Sequence, residues 1–217
     1  MNKTLDHFPA EYFNKQDGSS DTLFYQFPRM VAHIDNSAIA YLRDTVYTEL
    51  LPANGTYMDM MSSRYSHYPD GLNPERVYAH GMNAAEMEAN PLLDEYVVQN
   101  LNENPSLPHP DNSFDAVTNC VSVQYLQQPV EVFTSVLRVL KPDALFIVSF
   151  SNRCFPTKAM RVWLNSSDDD HVRLVTRYME LAGFVNIETR IKPGKPGFFG
   201  MGEDPLYAVV GRKPAGL

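Results

Sequence analysis

The chain has 217 residues, 44% of them hydrophobic, which suits one α/β domain with a sizeable core and is short for two. Its net charge is −8 and its basic residues are scattered, apart from Arg190, Lys192 and Lys195, so a phosphate backbone is not the expected main ligand. No apolar run approaches the roughly 20 residues of a membrane span, and Met1 to Phe13 lacks the basic-then-apolar order of a secretory signal.

Residues 1–35, rich in aromatics around Phe24-Tyr25-Gln26-Phe27-Pro28, read as an irregular N-terminal arm or lid on a single domain spanning 1–217. A helix follows Asn36-Ser37, with apolar residues at helical spacing from Ala38 through Val46 and Leu50. Pro52 stops it and Asn54-Gly55 makes a turn. Strands are predicted over Thr56–Met61, Arg76–His80, Tyr96–Val98, Ser113–Asn119 and the most apolar run, Ala144–Phe150. Between the last two, Pro129 opens a helix with Val132, Phe133, Val136, Leu137 and Leu140 on one face, ended at Lys141-Pro142-Asp143. The acidic run after Ser167 reads as the start of another helix that stops at Gly183. Two last strands, Val185–Ile191 and Leu206–Gly211, flank the glycine-rich loop 193–205, where Phe198 and Phe199 are candidates to cover an apolar substrate.

Strands alternating with helices argue for a mostly parallel sheet covered on both faces, with ligands at the carboxyl ends of its strands. Cys120 and Cys154 form no Cys-x-x-Cys pair, the six histidines are dispersed, and no metal-ligand spacing appears. A reducing, cytoplasmic setting is the expectation. Nucleophile-elbow, phosphate-loop and nicotinamide-binding motifs are also missing.

The run NSFDAVTNCVSVQYL (112–126) followed by PVEVFTSVLRVLKPDALFIVSFSN (129–152) resembles the second half of class I S-adenosylmethionine-dependent methyltransferases. The resemblance implies a Rossmann-like, seven-stranded, mostly parallel sheet with helices on both faces and an antiparallel last strand. It also implies S-adenosylmethionine as cofactor and methyl transfer to a small-molecule acceptor; charge and hydropathy give the expectation of no nucleic-acid and no membrane partner. Asp143-Ala144 stands where the family usually has two glycines.

The first half departs from the family pattern. Asp59 holds the place of the family's strand-end acid, but Met61-Ser62-Ser63 and Ser66 follow instead of a glycine-rich loop. Gly81-Met82-Asn83 replaces the segment whose acid holds the ribose, and Asn100-Leu101 the one that meets adenine. Two readings compete: a serine-containing loop that still takes the cofactor, or a methyltransferase-like binding or regulatory protein that has lost it. On the first, Asp59 organises the loop by accepting backbone N–H groups, and Asn119 and Cys120 line the cofactor's edge. His67 is a candidate general base or a structural loop histidine, and Tyr125 an acid–base group or a packed aromatic. Tyr25, Gln124, Arg153 and Lys158 are candidate substrate contacts, the last two as an anion clamp or as solvated charges. Cys154, beside those cations, has a setting that could lower its pKa.

Overall fold

A computed structural model describes residues 3–197 and 202–216. Phe198 and Phe199 therefore lie outside the described residues.

The N-terminal arm carries a 3₁₀ turn, Ala10–Phe13, and the short helix α1, Asp21–Phe24. A longer helical run follows in three parts: α2 (Asn36–Tyr41), a π-helical turn (Leu42–Tyr47) and α3 (Thr48–Leu50). It begins two residues earlier than the periodicity suggests because the Asp35 side chain caps it, accepting the Ala38 N–H. In the π segment, the Thr48 hydroxyl donates to the Arg43 carbonyl, five residues back.

The strands are β1 (Thr56–Ser62), β2 (Arg76–Gly81), β3 (Glu95–Val98), β4 (Phe114–Cys120), β5 (Leu140–Phe150), β6 (Val185–Lys192) and β7 (Leu206–Arg212). They form one sheet in the order β3-β2-β1-β4-β5-β7-β6. All neighbours are parallel except β7, which runs antiparallel to both β5 and β6. This is the Rossmann-like methyltransferase architecture that the sequence led us to expect.

Side-chain alternation sorts the strands into two cores. Met58, Met60, Val117, Phe146, Val148 and Val209 join one face. That face is covered by α5 (Pro129–Val139) and α7 (Asp168–Ala182), which bring Phe133, Val136, Val175 and Tyr178 to it. Tyr57, Ala116, Leu145, Ile147, Ala208 and Val210 point the other way, onto Ala38, Leu42, Val46 and Tyr47. The Ser167 side chain and Asp170 form a reciprocal cap on α7, and Gly183 ends it at φ 103°.

One place differs from the sequence expectation. Strand β5 begins at Leu140, because Asp143 takes the left-handed backbone (φ 63°) and lets the chain pass directly from α5 into the sheet. Residues 63–75 between β1 and β2 contain no helix, as expected of a loop. Tyr68 from this loop fills the core. The remaining helices are short: α4 (Ala84–Glu88), capped by Asn83, and α6 (Arg161–Leu164). Among the described residues, no helix is long and apolar enough to cross a membrane.

Candidate active site

Strand order reverses between β1 and β4, and the crevice outside such a reversal is where open α/β sheets bind ligands. A cavity of about 240 Å³ lies there. Its floor is the carboxyl ends of β1, β2 and β4 and the turns after β3 and β5; its roof is the arm, through Asp21, Tyr25, Arg29 and residues 31–34.

Asp59 sits in the floor, 3% exposed. Its carboxylate is held by hydroxyls rather than by backbone N–H groups: Ser62 Oγ donates to it at 2.6 Å, with Thr118 and Ser66 alongside. Burial raises its pKa to about 6, against the opposing pull of those hydroxyls. The serine loop is thus bound to the acid that precedes it. Asn90 fixes its far side, donating to Ser63 O and Ser66 Oγ.

The backbone around the cavity carries left-handed residues that are not glycine: Met61 (φ 58°), His67 (φ 58°) and Val121 (φ 50°). Such angles are uncommon outside glycine and rare for a β-branched residue. Met61 is the extra residue where the β1–β2 register slips between Met60 and Ser62. Val121 is held by Gln124, whose amide donates to its carbonyl at 2.9 Å.

Gly81 has a steric reason. A Cβ there would stand 2.7 Å from Ser62 O and 2.8 Å from Met87 Sδ. The space a strand-end acid would need is already filled. Another acid, Glu86 of α4, lines the same cavity and is 6% exposed. Its Oε1 accepts the Arg29 backbone N–H at 2.7 Å. Asn83 caps α4 and donates to Tyr25 O and Gln26 O, tying the arm to the end of β2.

Of the candidates from sequence, the cavity wall includes Asp59, Met61, Ser62, Ser63, Gly81, Met82, Asn83, Asn100, Leu101 and Cys120, with Tyr25, His67, Tyr125 and Arg153. Three lie behind the wall. The Asn119 amide, fully buried, bridges Met60 O and Ser122 Oγ across β1 and β4. Gln124, also buried, props Val121 as above. Lys158 corrects the idea of an anion clamp: its ammonium is inaccessible, paired with Asp17 (3.0 Å) and Asp21 (3.6 Å), and donates to Ser19 O. It anchors the arm. Arg153 is paired too, its Nε donating to Asp204 at 2.9 Å on the rim.

Several titrations follow from burial. His67 is held down at about 4, by desolvation first and then by His33 and Arg43, so its ring is neutral at pH 7. Burial pushes Tyr125 and Cys120 up to about 12 and raises Cys154, contrary to the reactive thiol its cationic neighbours suggested. Tyr125 is oriented by the Phe155 N–H, which donates to its hydroxyl at 2.8 Å, and by Phe155 stacked at 6.0 Å.

Sequence reasoning missed Glu86, Arg29 and His33, and gave His80 little weight. His80 lines the cavity, 1% exposed, with both ring nitrogens lacking a hydrogen-bond partner. Asn83 followed three residues later by Glu86 is a helix-start pattern that would have found both α4 and its acid.

The comparisons with known proteins agree with this geometry. Residues 72–148 match a methyltransferase domain family, a match that begins after β1 and the serine loop. No curated protein shows significant sequence similarity to the chain. Among solved structures, a SAM-dependent methyltransferase from Archaeoglobus fulgidus superposes with a TM-score of 0.58 at 12% identity, over 81% of this chain and 92% of that one. A possible histamine N-methyltransferase of Thermotoga maritima gives 0.57 at 14% identity, over 81% and 90%. A Haloferax volcanii methyltransferase, solved in complex with the Trm112 methyltransferase activator, gives 0.56 at 12% identity, over 82% and 90%. The chain thus has the class I methyltransferase fold.

Proposed function

We propose that the chain is an S-adenosylmethionine-dependent methyltransferase acting on a small molecule, in a subgroup of the class I superfamily whose serine loop replaces the glycine loop. On this reading residues 1–217 form one domain, 1–35 are its lid, and the enzyme works in the cytoplasm, where two free thiols are at home.

One observation carries the proposal. Asp59 and Glu86, both buried in the cavity wall, have no cationic partner within salt-bridge distance among the described residues. A ligand bearing a sulfonium and an ammonium brings the missing countercharge. The rest of the wall suits a nucleoside: Met82 and Leu101 are apolar, and the His80 ring nitrogens are buried and unpaired. Asp59, Glu86, His80, Met82 and Leu101 would hold the cofactor, with Ser62, Ser63, Asn83, Asn100 and Cys120 around it.

S-adenosylmethionine, when bound, supplies a methyl group already activated for attack, so the protein's tasks are alignment and proton management. The arm excludes water, and Tyr125, fixed by Phe155, gives the acceptor a directed hydroxyl. The neutral His67 ring has a nitrogen able to take a proton.

The alternative, a binding protein that has lost the cofactor, draws on the filled space at Gly81 and the helix-free connection after β1. With no helix in residues 63–75, that connection presents no N-terminal dipole to the ligand's carboxylate. Calorimetric titration with S-adenosylmethionine and S-adenosylhomocysteine separates the two. Micromolar binding of either supports the enzyme; no heat from a folded sample leaves the binding protein.

A further inference from the structure

Arg29 is a cation without an anion. Its guanidinium carbon lies 4.5 Å from the ring centre of Phe24, 5.2 Å from Phe155 and 5.5 Å from Tyr25. Its Nη2 donates to Phe24 O at 3.0 Å, and its backbone N–H to Glu86. Its Nη1 is buried with no hydrogen-bond partner, and no carboxylate stands within salt-bridge distance of the guanidinium among the described residues. Arg29 lines the cavity. Stacked aromatic faces and one carbonyl orient the group and offset part of its desolvation, but they do not replace an anion.

Its place in the fold indicates which ligand it meets. The side chain packs on Phe155, which follows β5, and Phe155 stacks on Tyr125, which follows β4. The unpartnered carboxylates Asp59 and Glu86 belong to the β1 and β2 side. Of the charges in the cavity wall without an ionic partner, the carboxylates of Asp59 and Glu86 therefore lie toward β1 and β2 and the Arg29 guanidinium toward β4 and β5, where Asp21 is already paired with Lys15. Lys158 and Arg153, the other cations nearby, already have carboxylate partners.

We propose that the methyl acceptor is a small molecule with a carboxylate, and that Arg29 Nη1 binds that group while the Tyr125 hydroxyl points its own proton at the same ligand. This rests on the methyltransferase reading of the site. The guanidinium's planar fork matches a carboxylate, and a charge-assisted hydrogen bond there fills the vacancy at Nη1. Because the cofactor has a carboxylate of its own, the test must separate the two sources.

Benzoate and its neutral isostere benzamide are the probes, titrated by calorimetry into protein saturated with S-adenosylhomocysteine. In the unaltered protein benzoate should bind about ten-fold tighter than benzamide. Arg29→Gln should bring the two within about two-fold while leaving S-adenosylhomocysteine affinity within about three-fold. Arg29→Met, which keeps volume between the rings, serves if Arg29→Gln does not fold. Equal or absent binding of the two probes overturns the proposal. So does a ten-fold or greater loss of S-adenosylhomocysteine affinity in the variant, which would assign Arg29 to the cofactor's carboxylate. Failure of the unaltered protein to bind S-adenosylhomocysteine sinks the methyltransferase reading instead. The benzoate–benzamide comparison on ligand-free protein then still reports on Arg29.

Discussion

The carbonyl oxygen of Ser62 lies 2.7 Å from the point where a side chain on Gly81 would begin. The end of β1 occupies the space beside β2, and Met87 of α4 closes it from the other side. An acid at position 81 and this path of the serine loop therefore exclude one another. Restoring an aspartate cannot restore a ribose contact. Gly81→Asp should instead destabilise the fold by about 1–3 kcal/mol through overpacking, read from the midpoint of urea unfolding. A stable Gly81→Asp protein with tighter nucleoside binding would show that the space is open.

Asp59 gives the fold a pH signature. Its carboxyl titrates near 4 when unfolded and at about 6 when folded. Between those values the folded state holds the extra proton, so stability falls as pH rises. The penalty is absent below 4 and complete above 6, where it reaches about 3 kcal/mol at most. Asp59→Asn removes the titration and keeps an acceptor for Ser62. Relative to the unaltered protein, the variant should gain stability between pH 4.5 and 7.5 in chemical denaturation. Parallel curves across that window would mean Asp59 is not buried as described.

Lys158 ties the arm to the body. Its side chain is wholly buried between Asp17 and Asp21, and Asp21 also takes Lys15 at 2.6 Å and the Asn102 amide at 2.9 Å. Asn102 in turn donates to Tyr125 O, so the anchor connects to the candidate active site. Lys158→Ala leaves Asp21 to Lys15 alone and removes the buried bonds to Asp17 and Ser19, and should cost about 1–3 kcal/mol. The loss should be local as well as global. Amide hydrogen exchange of residues 15–35 should rise more than that of β4 and β5; uniform exchange would contradict the anchor.

Much of this fold was legible because local signals and tertiary needs coincide. Ser167 and Gly183 bracket α7 by capping chemistry alone, and Ala144–Phe150 is apolar at every position but Ser149 because β5 is covered on both faces. Other features depend on partners far away in sequence. Lys158 looks like a surface cation until Asp17 and Asp21 reach it across 137 or more positions. Arg29 follows an aromatic-rich run, but only the fold brings Phe155 onto it. The loop 63–75 reads as a connection and is one, but nothing in it announces that Tyr68 fills the core. The serine loop itself was visible as a departure; its bond to Asp59 was not.

Asp143 offers a simpler test of backbone reading. It holds φ 63° near the start of β5, with its N–H on Lys213 O and its carbonyl taken by Arg212. Among the described residues its side chain makes no hydrogen bond or ion pair. Asp143→Gly should relieve a left-handed conformation and raise stability by about 0.5–1 kcal/mol, the gain blunted by glycine's freedom when unfolded. A loss measured by the same denaturation would assign the side chain a role that the structure does not show.

The central claim is that the cavity over β1, β2 and β4 holds an S-adenosyl nucleoside despite its serine loop. A crystal structure of the protein grown with saturating S-adenosylhomocysteine tests it most directly. The nucleoside is expected in that cavity, against Met82, Leu101 and His80, with Asp59 and Glu86 on the side of its amino group. An empty cavity at saturating ligand, or a nucleoside bound elsewhere on the molecule, would contradict it.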